Sequence, residues 1–131
     1  MPAGGGALLV VVGDVSGKGL KAALVVSMMT GVVRAHLALP PAALLKEMNR
    51  VLGEGSGGFV TCLAIRCEPG GLLTMANAGH LAPYRDGVEA PIDSGLPLGV
   101  ALDTEFSETS LRLDAGVERA LQGDTGTWIE G

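Results

Sequence analysis

The residues best suited to chemistry lie in one run, Gly13-Asp14-Val15-Ser16-Gly17-Lys18-Gly19. It follows a continuous apolar stretch, Ala7–Val12, that reads as a strand buried on both faces, and it precedes a helical pattern. A carboxylate at such a place must be solvated, paired or metal-bound, because burying a bare charge is very costly. Carboxylate and main-chain carbonyl oxygens suit hard cations such as Mn²⁺ or Mg²⁺. The glycines let the backbone approach a phosphate, and a helix starting near Leu20 offers free N–H groups to an anion. The plainer account gives Asp14 and Ser16 the tasks of shaping the turn and capping the helix. A P-loop needs Gly, four residues, then Gly-Lys-Ser/Thr. Here Val12 stands where the first glycine belongs and Gly19 follows Lys18, so a nucleotide-binding reading is weak.

The remaining chemistry-bearing side chains read as structural. His80 is a lone histidine in a Gly79-His80 break, with no cluster to make a metal site. His36 lies near a helix end, where the dipole favours it. Cys62 and Cys67 are five apart on one strand and so point to opposite faces. They are expected to stay unpaired and buried as small apolar residues in a reducing compartment, and two are too few for zinc.

The elements that position these groups follow from periodicity. Leu20–Leu37 reads as a helix with Leu20, Ala23, Leu24, Ser27, Met28, Gly31 and Val32 on its packed face. Pro40-Pro41 stops it and opens a second helix, Ala42–Leu52, with Leu44, Leu45, Met48 and Leu52 inward and Lys46, Glu47 and Arg50 towards solvent. Beyond a glycine-rich loop, Phe59–Cys67 and Leu72–Ala78 form a hairpin about Pro69-Gly70-Gly71. Leu81–Arg85 and Val88–Ile92 flank Asp86-Gly87, a strong hairpin signal. Ser94–Gly99 reads as a loop and Glu105–Leu113 as a last strand. The order β, α, α, then a β meander predicts an α+β fold with helices on an antiparallel sheet. Residues 1–6 read as a flexible leader, 7–116 as the domain and 117–131 as a segment without periodicity.

The chain's 131 residues suit one domain, and 47% apolar with 18% charged residues excludes disorder. With four aromatic residues, the core must be aliphatic. A net charge of −5 disfavours a nucleic-acid surface. The charge-free helical stretch Ala22–Val33 has 12 residues, short of the roughly 20 a membrane span needs. With no basic residue in the first six to mark a signal peptide, a cytoplasmic protein is expected.

The run Val11 to Leu24 closely resembles the signature of the SpoIIE/RsbU-type phosphatases, metal-dependent (PPM, type 2C-like) serine/threonine protein phosphatases. Four later segments agree in order: Pro41–Leu52 with Asn49, Phe59-Val60-Thr61, Asn77-Ala78-Gly79-His80, and Gly95-Leu96-Pro97-Leu98-Gly99. The resemblance implies an antiparallel β-sandwich flanked by helices, with two Mn²⁺ or Mg²⁺ ions generating a hydroxide that attacks the phosphoserine phosphorus directly. It makes Asp14 the metal-bridging catalytic carboxylate and the Val15 carbonyl a further ligand. Gly13, Ser16, Gly17, Lys18 and Gly19 become the turn on the phosphate side, and Asn77, Gly79 and His80 a structural motif.

Relatives carry an upstream strand with Gly-Gly-Asp and a downstream strand with Thr-Asp-Gly; here the chain reads as truncated at both ends, with Asp124 before Thr125-Gly126 as a degenerate remnant. The implied substrate is a phosphorylated regulatory protein of the anti-sigma-factor-antagonist type. The alternative is a catalytically dead binding or scaffold module. Missing neighbours leave a sheet edge open, so pairing with a second copy, or a terminal segment filling the gap, is expected.

Overall fold

A computed structural model of the chain describes residues 1–53, 59–81, 84–85, 87–89 and 94–112. In chain order the elements are β1 (Leu8–Val15), α1 (Gly19–Ala35), α2 (Pro41–Leu52), β2 (Val60–Cys67), β3 (Leu72–Ala78), β4 (Tyr84–Arg85), β5 (Val88–Glu89), β6 (Ser94–Gly95) and β7 (Thr109–Arg112). The class is α+β, as the order of patterns predicts: a five-stranded sheet carries two helices. β1, β2 and β3 are antiparallel neighbours, and β3's far side takes β6 in parallel and β7 antiparallel. β4 and β5 form a separate ribbon in the register Tyr84↔Glu89, at the expected Asp86-Gly87 hairpin; Asp86 lies outside the described residues. The expected loop after residue 93 begins instead with β6, and of the expected last strand Glu105–Leu113 the described residues form strand only over Thr109–Arg112, Leu113 lying outside them.

Strand alternation gives the sheet two different faces. Towards the helices it presents Leu9, Cys62, Ala64, Ala76 and Ala78, mostly small side chains that let α2 settle close to the backbone, while α1 rests on α2 and β1. The opposite face carries the bulkier Leu63, Ile65, Leu73 and Met75 with Cys67. Cys62 and Cys67 thus belong to different clusters, as their odd separation requires, and neither forms a disulfide. Burial pushes the Cys62 thiol up to about 12, which keeps it protonated and inert at neutral pH.

α2 lies on the sheet as its pattern predicts, with Leu44, Leu45, Met48 and Leu52 buried. Pro41 opens its first turn, the Glu108 carboxylate accepts the Ala42 N–H at 2.9 Å, and Lys46 pairs with Glu105 at 2.8 Å. α1 turns differently from expectation. Met29, Val32 and Val33 are its buried residues, while Leu20, Ala23, Leu24, Ser27, Met28 and Gly31 face outwards. Of the expected packed face only Val32 is buried. Arg66 ties the inter-helix connection to the sheet, donating to the Leu37 carbonyl at 2.9 Å and to Glu68 at 2.7 Å.

Asn49 is the polar exception in the buried stripe of α2. It is 1% exposed, accepts the Gly99 N–H at 2.8 Å, and donates to the carbonyls of Ala101 at 2.9 Å and Leu102 at 3.3 Å. One side chain therefore satisfies three main-chain groups and fixes the loop after Leu98 against the helix. Asn49→Ala strands the Gly99 N–H, while the Ala101 carbonyl keeps the Thr104 hydroxyl at 2.7 Å, and is expected to cost about 1–3 kcal/mol, because an orphaned buried donor loses its full desolvation energy. Thermal unfolding should show a midpoint roughly 10 °C lower.

Candidate functional site

β1 does not end at Val12. Gly13, Asp14 and Val15 continue the ladder, opposite Cys62, Thr61 and Val60 respectively. Gly13 makes this possible, since a Cβ there would stand 2.8 Å from the Thr61 carbonyl oxygen. Ser16 prolongs the pairing by one residue: its N–H donates to the Phe59 carbonyl at 3.0 Å, and its Oγ accepts the Phe59 N–H at 2.8 Å. The Ser16 side chain is thus spent on the neighbouring strand and does not cap α1. The helix starts after Lys18 with no side-chain cap and no acidic residue in its first turn, so its leading N–H groups remain open. Gly17 and Gly19, at φ of +100° and +79°, bracket an extended Lys18 and reverse the chain into the helix.

A second turn meets the first. Asn77, 2% exposed at the end of β3, accepts the His80 N–H at 2.8 Å and donates to the His80 carbonyl at 2.9 Å. Between them Gly79 adopts a φ of +70°, and a Cβ on it would meet Pro97 Cγ at 2.8 Å. The Asn-Ala-Gly-His and Gly-Leu-Pro-Leu-Gly segments therefore interlock at a point that admits only glycine. The clamped turn carries the His80 ring to Thr61, with Nδ1 and Oγ1 3.1 Å apart, and the Thr61 hydroxyl donates weakly to the Asp14 carbonyl at 3.4 Å. Donation by the Thr61 hydroxyl to Asp14 requires a hydrogen on Nδ1 to close this chain.

The structure thus gathers Gly13, Asp14, Val15, Ser16, Gly17, Lys18 and Gly19 at one end of the sheet and joins His80 to them through Thr61. Asp14 is exposed there, and Asn77 and Gly79 support the histidine from behind. Asp124 lies outside the described residues. Thr61 and Asn49, whose hydrogen bonds order the site and the loop behind it, carry no assigned role in the sequence reading. Asn49 leaves a trace there, as an amide at helical spacing inside the Leu45, Met48 and Leu52 stripe. Thr61 leaves none until its register against Asp14 is known.

A hard cation needs several oxygen ligands. The Asp14 carboxylate and nearby main-chain carbonyls are of the right chemistry, yet among the described residues no group of three or more His, Cys, Asp or Glu side chains comes together. These residues alone do not make a two-ion centre.

The sheet bearing two helices on one face, with an acidic strand end and a glycine turn, defines the class, and the chain belongs to the SpoIIE family: residues 4–118 match the family described as Stage II sporulation protein E. Its fold is similar to that of a solved structure from a study of the bacterial stressosome, described as a modular system adapted to control secondary messenger signaling. The TM-score is 0.66 at 19% identity, over 85% of this chain and 59% of that one. The chain therefore spans less than two thirds of that neighbour's length. No curated protein matches it.

Thr61→Val deletes both links between the two turns. The expected cost is about 1–2 kcal/mol. Nitrogen-15 NMR of the His80 ring should show the Nδ1–H tautomer in the parent chain and a mixture of tautomers in the variant. An Nε2–H tautomer in the parent would reverse the direction of the hydrogen-bond chain.

Proposed function

We propose that the chain is a protein serine/threonine phosphatase domain that hydrolyses phosphoserine or phosphothreonine monoesters of a regulatory protein of the anti-sigma-factor-antagonist type. The observation that supports this most is the family match over residues 4–118, together with the exposed carboxylate of Asp14 at an open strand end. In this reading each residue of the turn has a task. Gly13 and the Ser16–Phe59 bonds hold the strand end rigid, so Asp14 is presented without main-chain freedom. Gly17 and Gly19 keep the turn bare of side chains where a phosphate must approach. The open N–H groups at the start of α1 add a favourable field for its negative charge. Mn²⁺ or Mg²⁺ at Asp14 and the Val15 carbonyl belongs to this proposal, with ligands completed from outside the described residues, Asp124 among them.

A second reading, a phosphatase-like binding or scaffold module without turnover, is favoured because no group of three or more His, Cys, Asp or Glu side chains comes together among the described residues. Both readings suit a cytoplasmic signalling assembly such as the bacterial stressosome, with which the structural neighbour is connected. No helix among the described residues is long and apolar enough to cross a membrane.

Hydrolysis of p-nitrophenyl phosphate is expected to require Mn²⁺ or Mg²⁺ and to fall at least a hundredfold in Asp14→Asn, a substitution that keeps the shape and removes the charge. Activity that survives Asp14→Asn in the presence of chelator would sink the metal-dependent assignment. Absent turnover with intact folding would select the binding module.

Self-association is the other part of the proposal. Among the described residues β1 is paired on one side by β2, and its other side is met only near the start, where Met1 and Leu9 exchange hydrogen bonds of 2.8 Å. The open edge around Val11 and Gly13 is a template for a second copy. Sedimentation should show a concentration-dependent dimer that Val11→Lys weakens; a monomer at all concentrations would remove this idea.

A further inference from the structure

A cavity of about 150 Å³ opens between α1, the turn before it and the start of β2. Val25, Met28, Leu52, Phe59 and Val60 make its apolar wall, and Lys18 and Lys21 line it as well. Val15 and Ser16 also border it, so it adjoins the residue that follows Asp14 in the strand. A volume of this order holds one branched aliphatic side chain or a ring the size of benzene. The surface around it is apolar too: Phe59 is 45% exposed, Leu24 61% and Leu20 77%.

The charges at this surface are as selective as its shape. The chain carries a net charge of −5, yet α1 and its N-cap hold Lys18 and Lys21 at the cavity, Arg34 in the last turn away from it, and no acidic residue. Lys46, Arg50 and Arg66 all pair with glutamates, whereas none of the three cations of this helix makes an ion pair among the described residues. A second copy of α1 would bring like charges together, so self-pairing here is disfavoured. An acidic segment with one apolar anchor is complementary in both respects. A bilayer surface would match the charge, but a concave cavity of single-side-chain size has no counterpart in a flat interface.

We propose that this cavity receives an apolar side chain flanking the phosphorylated residue of the substrate protein, with Lys18 and Lys21 meeting acidic groups beside it. The proposal rests on the phosphatase reading for the identity of the occupant. It assigns substrate selection to a surface separate from Asp14 itself: the anchor and the acidic flank set affinity, and the turn handles the phosphate.

The test uses the full chain and two synthetic phosphoserine peptides that differ only in flanking residues, one with leucine and glutamates, the other with glycine and lysines. Fluorescence anisotropy reads binding, and the Met28 methyl resonance reports occupancy of the cavity. The leucine–glutamate peptide is expected to bind roughly tenfold more tightly, the gain of burying one aliphatic side chain, and to shift Met28. Lys21→Glu should reduce that preference about threefold or more, as loss and reversal of an exposed charge contact implies. Equal affinities, an unmoved Met28 signal, or a shift produced by phosphatidylserine vesicles and not by peptide would each overturn the proposal. Peptide selectivity without any hydrolysis upholds the docking surface and removes the phosphatase reading. Hydrolysis without selectivity upholds that reading and removes the docking surface.

Discussion

The antiparallel pairing of β1 with β2 carries everything else at the site. It runs unbroken from Leu8↔Cys67 to Val15↔Val60, and the Ser16 side chain adds one further link to Phe59. Because the ladder reaches so far, Asp14 is held on a sheet and not on a loop. Its backbone position is shared with Thr61, and through Thr61 with His80. The constraint that permits this is local and steric. Position 13 must lack a Cβ, since any side chain would be driven into the Thr61 carbonyl, a main-chain group that cannot move without breaking the ladder. A carboxylate meant to meet phosphate or a cation gains from such rigidity, because geometry set during folding need not be set again when the ligand arrives.

The motif segments that resemble the family look unrelated along the chain, but the structure gives them one physical theme: buried amides that hold turns. Asn49 satisfies three main-chain groups of the segment 99–102 from inside a helix. Asn77 closes the turn that delivers His80. Each is almost fully buried, and each spends its donors and its acceptor on backbone. A neutral amide suits these places better than a carboxylate, which can only accept and would face carbonyl oxygens with a negative charge. The Gly79–Pro97 contact then locks the two turns together. These segments therefore work as scaffold around one chemical residue, which is why so few charged groups mark the site.

Much of this was legible in the sequence, and the failures have definite causes. α2 has a clear apolar stripe opposed by Lys46 and Arg50, so its packed face could be read directly. α1 could not be read that way. It is apolar nearly all round, and two stripes satisfy helical spacing: Leu20, Leu24, Ser27, Met28 and Gly31, or Val25, Met29, Val32 and Val33. Periodicity alone gives no preference, and the small residues in the first stripe suggested close packing. The neighbours decided otherwise: α1 lies against α2 and β1, and Met29, Val32 and Val33 join Leu44, Leu45 and Met48 in one apolar cluster. The end of β1 failed for a different reason. Gly13-Asp14 reads as a turn by composition, but a ladder already formed over five residues gains a bond for each residue added. That gain outweighs the weak turn preference of one glycine and one aspartate.

The outward stripe of α1 links the fold to the proposed function. A helix buried on all its apolar sides would contribute more stability, at roughly 25 cal/mol for each Å² of apolar surface removed from water. Leaving Leu20 and Leu24 exposed forgoes several kcal/mol in a domain whose whole stability is of order 5–15 kcal/mol. At the start of the same helix Lys18 and Lys21 make no ion pair among the described residues, in a chain of net charge −5 that pairs Lys46, Arg50 and Arg66 with glutamates. Two independent departures from what stability favours fall on one face, beside the turn that presents Asp14. A surface of that kind is best explained by a partner that supplies the missing apolar contact and the missing negative charge together, and the nearness of the turn means such a partner would arrive already oriented towards Asp14.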